Sequence, residues 1–138
     1  SYIHTGGKIG VLIEVNCETD FVARTDEFQQ LVKELAMHVA AANPLYVQRE
    51  DVPAETIEQE KEIFRSQLED KGKPPHVVEK ILEGKLEKYY SEIVLIDQPS
   101  IRDPKTTVGQ LVASAIAKMG ENVTIARFAR FKIGEGQT

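Results

Sequence analysis

The chain has 138 residues, of which 41% are hydrophobic, and a formal net charge of −5. This length fits one compact domain with an apolar core, because single domains typically span roughly 100–200 residues. The acidic balance argues against nucleic acid or an anionic membrane surface as a partner, since their phosphates require basic residues. No apolar run reaches the roughly 20 residues that cross a bilayer.

Cys17 is the single cysteine, so no intrachain disulfide can form. This composition fits a reducing compartment, and we expect the cytoplasm or the interior of an organelle. The chain starts at Ser1 without a methionine. We therefore expect it to be one domain of a longer protein.

The first predicted elements form a β-hairpin. Residues 2–5 and 8–16 make its two arms, and Gly6-Gly7 supply the positive φ angles of a tight two-residue turn. In the second arm the apolar side chains alternate with period two, as in a half-buried strand: Ile9, Val11, Ile13, Val15 and Cys17.

Four helices are predicted between the hairpin and the last strand, and the outer two of them are considered first. The first starts after Thr25, a good N-cap residue, and stops near Asn43-Pro44. The last starts after Thr107 and has Gly120 at its C-terminal cap. Both carry apolar side chains at helical spacing, so each should pack one face against the core.

Between them, two further helices are expected to form a helical hairpin at about residues 52–96. Asp51 is the predicted cap of the first, with Pro53 in its first turn, and Gly72 ends it. The second starts after Pro74-Pro75 and places apolar side chains on one face as far as Ile93.

Residues 122–133 alternate again and predict a third strand. A two-stranded hairpin is marginal alone, so this strand should return to it. The predicted fold is α+β, a three-stranded antiparallel sheet with about four helices inserted, in the order β-β-α-α-α-α-β. Leu12 and Phe128 fall on the faces opposite the main apolar stripes, so a second subunit could cover one face of the sheet.

Signals for catalysis or metal binding are weak. The chain lacks Cys-x-x-Cys, His-Glu-x-x-His and nucleophile-elbow patterns, which disfavours an enzyme. Glu14, Glu18 and Asp20 could form a carboxylate cage for a hard cation, but solvated surface is the better interpretation. Cys17 and His38 are interpreted as a small apolar residue and a hydrogen-bonded core histidine.

Phe21 has two interpretations. It lies seven residues before Phe28, so a helix starting at Thr19 would bury both on one stripe, and spacing alone slightly favours this. If Thr25 is the true cap, residues 18–24 form a junction that can expose Phe21 beside Asp20. An exposed aromatic residue is a typical interface anchor.

The chain resembles the elongation factor Ts family over essentially its whole length. The most specific stretch is Glu14-Val15-Asn16-Cys17-Glu18-Thr19-Asp20-Phe21-Val22-Ala23-Arg24. Further matching segments are Tyr2-Ile3-His4, Ala36-Met37-His38-Val39-Ala40, Gly72-Lys73-Pro74, Glu79-Lys80-Ile81, Glu83-Gly84-Lys85-Leu86, Gly120-Glu121-Asn122 and Arg127-Phe128-Ala129-Arg130-Phe131.

The resemblance implies that residues 1–138 are the core or dimerisation domain, with the family's N-terminal helical module absent from this chain. It also implies partner-binding residues. Asp20 and Phe21 would intrude beside the helices of the GTPase elongation factor Tu that support the nucleotide's magnesium ion, with Thr19 holding the turn. These assignments favour an exposed Phe21.

Met119 and Gly120 would lie beside that contact, although the family usually has isoleucine at the position of Met119. His4 matches a histidine that approaches the phosphate-binding loop. One hairpin carries both the Tyr-Ile-His and Thr-Asp-Phe motifs, so the resemblance implies a single-core type that completes itself as a homodimer, with His4 supplied by the second subunit.

The expected function is therefore guanine nucleotide exchange on elongation factor Tu in translation elongation. It would promote GDP release by perturbing the magnesium and phosphate side of the nucleotide site, without cofactor and without covalent chemistry. The alternative is a structural or ribosome-associated dimerisation domain without exchange activity. An enzyme with a cryptic carboxylate site is a third possibility.

Overall fold

The computed structural model describes residues 1–135, and its order of elements confirms the α+β prediction. Three strands form one antiparallel sheet in the order β1-β2-β3. A one-turn helix, absent from the prediction, precedes the four predicted helices. The elements are β1 (Tyr2–Ile3), β2 (Ile9–Cys17), α1 (Asp20–Ala23), α2 (Asp26–Ala42), α3 (Ala54–Asp70), α4 (Pro75–Ile93), α5 (Val108–Met119) and β3 (Val123–Lys132).

The hairpin turn is longer than predicted. The N–H of His4 donates to the carbonyl of Ile9 at 2.9 Å, which leaves four residues, 5–8, in the connection. Gly6 and Gly7 do adopt positive φ angles, 96° and 71°. The prediction of a two-residue turn is wrong because the strand pairing closes one residue earlier on each arm than the two glycines require.

The β2–β3 ladder contains a bulge that reverses part of the predicted alternation. Val15 pairs with Ile125 and Glu14 with Arg127, so Ala126 has no partner across the ladder. A single extra residue moves the following side chains to the opposite face. Phe128 consequently packs inward against the core, and its predicted outward position is wrong.

The outer face of the sheet is open in the isolated chain. Leu12 is 63% exposed there, as predicted, and Phe131 is 73% exposed because of the bulge. Leu12 pairs with Ala129, and Gly10 pairs with Phe131, so these apolar groups lie in adjacent rows across two strands. The sheet therefore has one face packed on helices and one exposed face, on which Leu12 and Phe131 form an apolar patch.

Helices α2 and α5 cover the inner face. Thr25 and Thr107 cap them as predicted, each side-chain oxygen accepting an N–H of the first turn. Both helices end in the left-handed conformation, at Asn43 and at Gly120. The largest fully buried side chains are Leu35, Leu95, Val39, Val94 and Val108.

The predicted helical hairpin is formed by α3 and α4. Leu68, Val78 and Leu82 are buried along it. The predicted cap at Asp51 is wrong, since Asp51 belongs to a short 3-10 turn and Pro53 takes the position before α3. The carboxylate of Asp51 instead accepts the N–H of Gln48 at 3.2 Å. Within residues 1–135, no helix combines the length and apolar character needed to cross a membrane.

Candidate functional site

The junction between β2 and α2 is a compact turn built around Thr19. Thr19 has extended φ and ψ angles, and its hydroxyl oxygen accepts the N–H of Val22 at 3.3 Å, which caps α1. The partly buried thiol of Cys17 donates to the carbonyl of Thr19 at 3.3 Å. The chain thus changes from strand to helix within two residues.

Asp20 and Phe21 project from this turn into solvent. Phe21 is 80% exposed, the highest value among the large apolar side chains exposed within residues 1–135. Val22, the next residue, is buried against the core. The burial of Phe21 favoured by spacing is wrong because α1 and α2 are separate helices with separate caps, so Phe21 does not share a stripe with Phe28.

Glu121 brings the end of α5 to this turn. One carboxylate oxygen accepts the N–H groups of Glu18 at 3.2 Å and Thr19 at 3.1 Å, and the other accepts the Thr19 hydroxyl at 2.7 Å. In return, the N–H of Asn122 donates to the carboxylate of Glu18 at 3.3 Å. Gly120 and Met119, which directly precede Glu121, are thereby held near the segment that carries Phe21.

Sequence patterns alone do not single out Glu121. It follows a helix-capping glycine, where an acidic residue has no local structural signature. The only signal was its place in the motif Gly120-Glu121-Asn122. The partner segment lies more than a hundred positions earlier in the chain, so spacing could not have found the contact.

His4 is not part of this cluster. It lies at the hairpin turn, where its Nδ1 shares a hydrogen bond with the hydroxyl of Tyr2 at 2.9 Å. Strand β2 runs from there to Cys17, and its eight residue steps span roughly 27 Å. Within one chain, His4 and Phe21 therefore lie at opposite ends of the sheet.

The carboxylate cage considered for Glu14, Glu18 and Asp20 has no support. Glu14 pairs with Arg127 at 3.1 Å, on the outer face of the sheet. Glu18 is engaged with the backbone of Asn122. Across residues 1–135, no group of three or more histidine, cysteine, aspartate or glutamate side chains is placed to hold a metal ion.

His38 is a buried structural residue, as its position in the sequence indicated. Its Nε2 lies 2.8 Å from the side-chain oxygen of Gln98, whose amide nitrogen donates to the carbonyl of Glu92 at 2.9 Å. Because Gln98 thus offers its oxygen, Nε2 carries the proton. Burial lowers the pKa of His38, and the hydrogen bond to Gln98 opposes this in part.

Comparison with known proteins decides the family. The family model described as "Elongation factor TS" matches residues 1–135. The chain belongs to the elongation factor Ts family. Proteins named elongation factor Ts are 57% identical in Heliobacterium modesticaldum, 58% in Geobacter sulfurreducens and 59% in Caldanaerobacter subterraneus, each over 136 residues and 99% of this chain.

The same alignments cover 63%, 63% and 68% of those relatives. The chain thus spans just under two thirds of the length of the first two curated relatives. The matched range includes the Thr19 turn, Met119, Gly120 and His4.

Proposed function

We propose that this chain is the core domain of a nucleotide exchange factor acting on the GTPase elongation factor Tu. One observation carries the proposal: a phenylalanine that is 80% exposed stands on a turn fixed by hydrogen bonds from another part of the chain. Aromatic residues are enriched at protein interfaces, where a few anchoring side chains carry most of the binding energy. Membership of the elongation factor Ts family supplies the partner.

The mechanism needs binding energy but no covalent chemistry. A protein that binds the nucleotide-free GTPase more tightly than the GDP-bound form must weaken GDP binding by the same factor, since the coupling is reciprocal. Phe21 would enter beside the helices that support the magnesium ion, and Asp20 would make the polar contact next to it. Displacing the ion would remove the main charge that neutralises the β-phosphate.

Met119 and Gly120 would complete the contact surface around Phe21. His4 would approach the phosphate-binding loop, and the roughly 27 Å length of β2 argues that it does so from a second subunit. The exposed outer face of the sheet, with Leu12 and Phe131, supports a homodimer formed through that face. The compartment, bacterial cytoplasm or an organelle interior, remains a prediction.

The exposed apolar residues of the outer face also favour the alternative, a structural or ribosome-associated dimerisation domain without exchange activity. The two functions differ in one measurable respect. An exchange factor accelerates release of fluorescent GDP from elongation factor Tu, whereas a purely structural domain leaves the release rate unchanged. Sedimentation of the same preparation tests the homodimer, which a chain that stays monomeric at all concentrations would contradict.

The decisive experiment compares the wild-type chain with Phe21→Ala and Leu45→Ala. Leu45 is a matched control because it is also a large apolar residue with high exposure, 60%, but lies after α2, outside the Thr19 turn. We expect Phe21→Ala to slow the stimulated release about thirtyfold, the loss typical of an interface anchor. Leu45→Ala should match wild type, and equal rates for all three chains would refute the role of Phe21.

A further inference from the structure

Glu121 uses both carboxylate oxygens to hold the segment that carries Asp20 and Phe21. It accepts two consecutive backbone N–H groups, of Glu18 and Thr19, and the hydroxyl of Thr19. Hydrogen bonds to an ionised group are roughly twice as strong as those between neutral groups. These bonds join residues that lie 102 or 103 positions apart in the sequence, where the end of α5 meets the end of β2.

The Thr19 hydroxyl links this anchor to α1. It donates to Glu121 at 2.7 Å and accepts from the N–H of Val22 at 3.3 Å. The donation directs its lone pairs toward the start of the helix. The orientation of α1, and with it the direction in which Phe21 leaves the backbone, therefore depends on the carboxylate of Glu121.

Helix α1 needs such support. A single turn of helix is unstable by itself, because fixing the first turn costs more backbone entropy than its hydrogen bond returns. Of its four residues, Val22 alone is buried. Phe21 has little packing of its own to fix its position, so a loose turn would lower the fraction of molecules ready to bind.

We propose that Glu121 is a positioning residue, whose carboxylate presents Asp20 and Phe21 to the GTPase by fixing the Thr19 turn. This inference rests on the proposed exchange function. Glu121 acts through its hydrogen bonds to Glu18 and Thr19. Its removal should therefore leave the chain folded but make α1 mobile.

The first test uses the free chain without any partner. Amide hydrogen exchange of Glu18 and Thr19 is compared between wild type, Glu121→Ala and the control Glu27→Ala. The control also removes a glutamate carboxylate, but one that pairs with Lys118. We expect at least tenfold faster exchange of both amides in Glu121→Ala only, because loss of a charged acceptor frees both donors. Unchanged exchange at both amides would overturn the proposal.

The second test measures GDP release from elongation factor Tu. Glu121→Ala should slow the stimulated release about tenfold, since a hydrogen bond to a charged group is worth about one such factor or more. Glu121→Gln, which keeps one acceptor oxygen, should fall between wild type and Glu121→Ala. Thr19→Val should slow release more than Thr19→Ser does, because only serine keeps the hydroxyl.

A double variant separates positioning from general stabilisation. In a Phe21→Ala chain, adding Glu121→Ala should slow release by clearly less than the tenfold expected in the wild-type chain, since Phe21 is one of the two residues that Glu121 presents. Effects that multiply fully would overturn the proposal. A wild-type chain that fails to accelerate release would contradict the proposed function, whereas the hydrogen-exchange comparison would still decide whether Glu121 holds the turn.

Discussion

The sheet with its covering helices and the α3–α4 hairpin are stabilised in different ways. Eleven buried residues form one apolar cluster between the sheet, α2 and α5. The base of the hairpin has a separate cluster of three buried residues, Val52, Ile93 and Val94, with ion pairs from Arg49 beside it. We therefore expect the hairpin to open without unfolding the sheet, and the Thr19 turn to be attached to the more stable of the two regions.

The largest expected effect on stability comes from replacing a buried leucine by alanine in each of the two regions. Leu35→Ala, in the main cluster, should lower the free energy of global unfolding by about 2–5 kcal/mol in urea titrations, because the side chain is fully buried. Leu82→Ala, in the hairpin, should instead speed amide exchange in α3 and α4 and leave α2 protected.

Leu45→Ala is the control for both, since it removes the same atoms from a position that is 60% exposed. It should change stability by no more than about 0.5 kcal/mol. If Leu82→Ala increased amide exchange in α2 as strongly as in α4, the two regions would unfold together and would not be stabilised separately.

A smaller effect is expected at the base of the hairpin. Arg49 donates to Glu87 through two nitrogens, at 2.9 and 2.7 Å, and to Asp97 at 2.8 Å, and its guanidinium lies 4.5 Å from the centre of the Tyr90 ring. Hydrogen bonding to Glu87 is the main cause of its raised pKa. Arg49→Met should destabilise α4 by about 1 kcal/mol, measured by amide exchange, since partly exposed pairs contribute little.

Arg65→Met offers a matched comparison. The side chains of Arg49 and Arg65 are both 39% exposed, but within residues 1–135 Arg65 forms an ion pair only with Glu79, at 3.2 Å. We expect this variant to cost less than about 0.5 kcal/mol. Equal effects from the two arginines would show that the contacts at the base do not form a cooperative network.

The stability of the folded chain should depend on pH through His38, which lies where the two regions meet. Through Gln98, His38 in α2 is connected to the carbonyl of Glu92 in α4. Burial lowers the pKa of His38 in the folded chain, so below about pH 6.5 the unfolded chain binds the additional proton more readily. Stability should therefore fall as the pH drops below that value.

Urea titrations at pH 7.5 and 5.5 measure this loss. His38→Gln should show a smaller loss between the two pH values than wild type, whereas His76→Gln, at an exposed position, should show the same loss as wild type. If His38→Gln and wild type lost equal stability, another group would be responsible for the pH dependence.

The sequence by itself determined the elements that depend on neighbouring residues. Thr25 and Thr107 predicted the starts of α2 and α5, and Asn43 and Gly120 predicted their ends, because capping and left-handed conformations are local properties. The order of the predicted elements followed from periodicity, and the pairing of the last strand with the hairpin followed from the marginal stability of two strands alone. The motif around Thr19 identified the segment of interest through resemblance, not through spacing.

Tertiary structure alone decided how these elements fit together. The bulge at Ala126 turned Phe128 inward and Phe131 outward, which depends on the pairing between β2 and β3 and not on β3 alone. Phe21 is exposed because Thr19 and Thr25 cap two separate helices, α1 and α2. One continuous helix would have placed Phe21 on the same stripe as Phe28. The support of that residue by Glu121 links positions about a hundred residues apart, and no periodicity in the sequence can register such a contact.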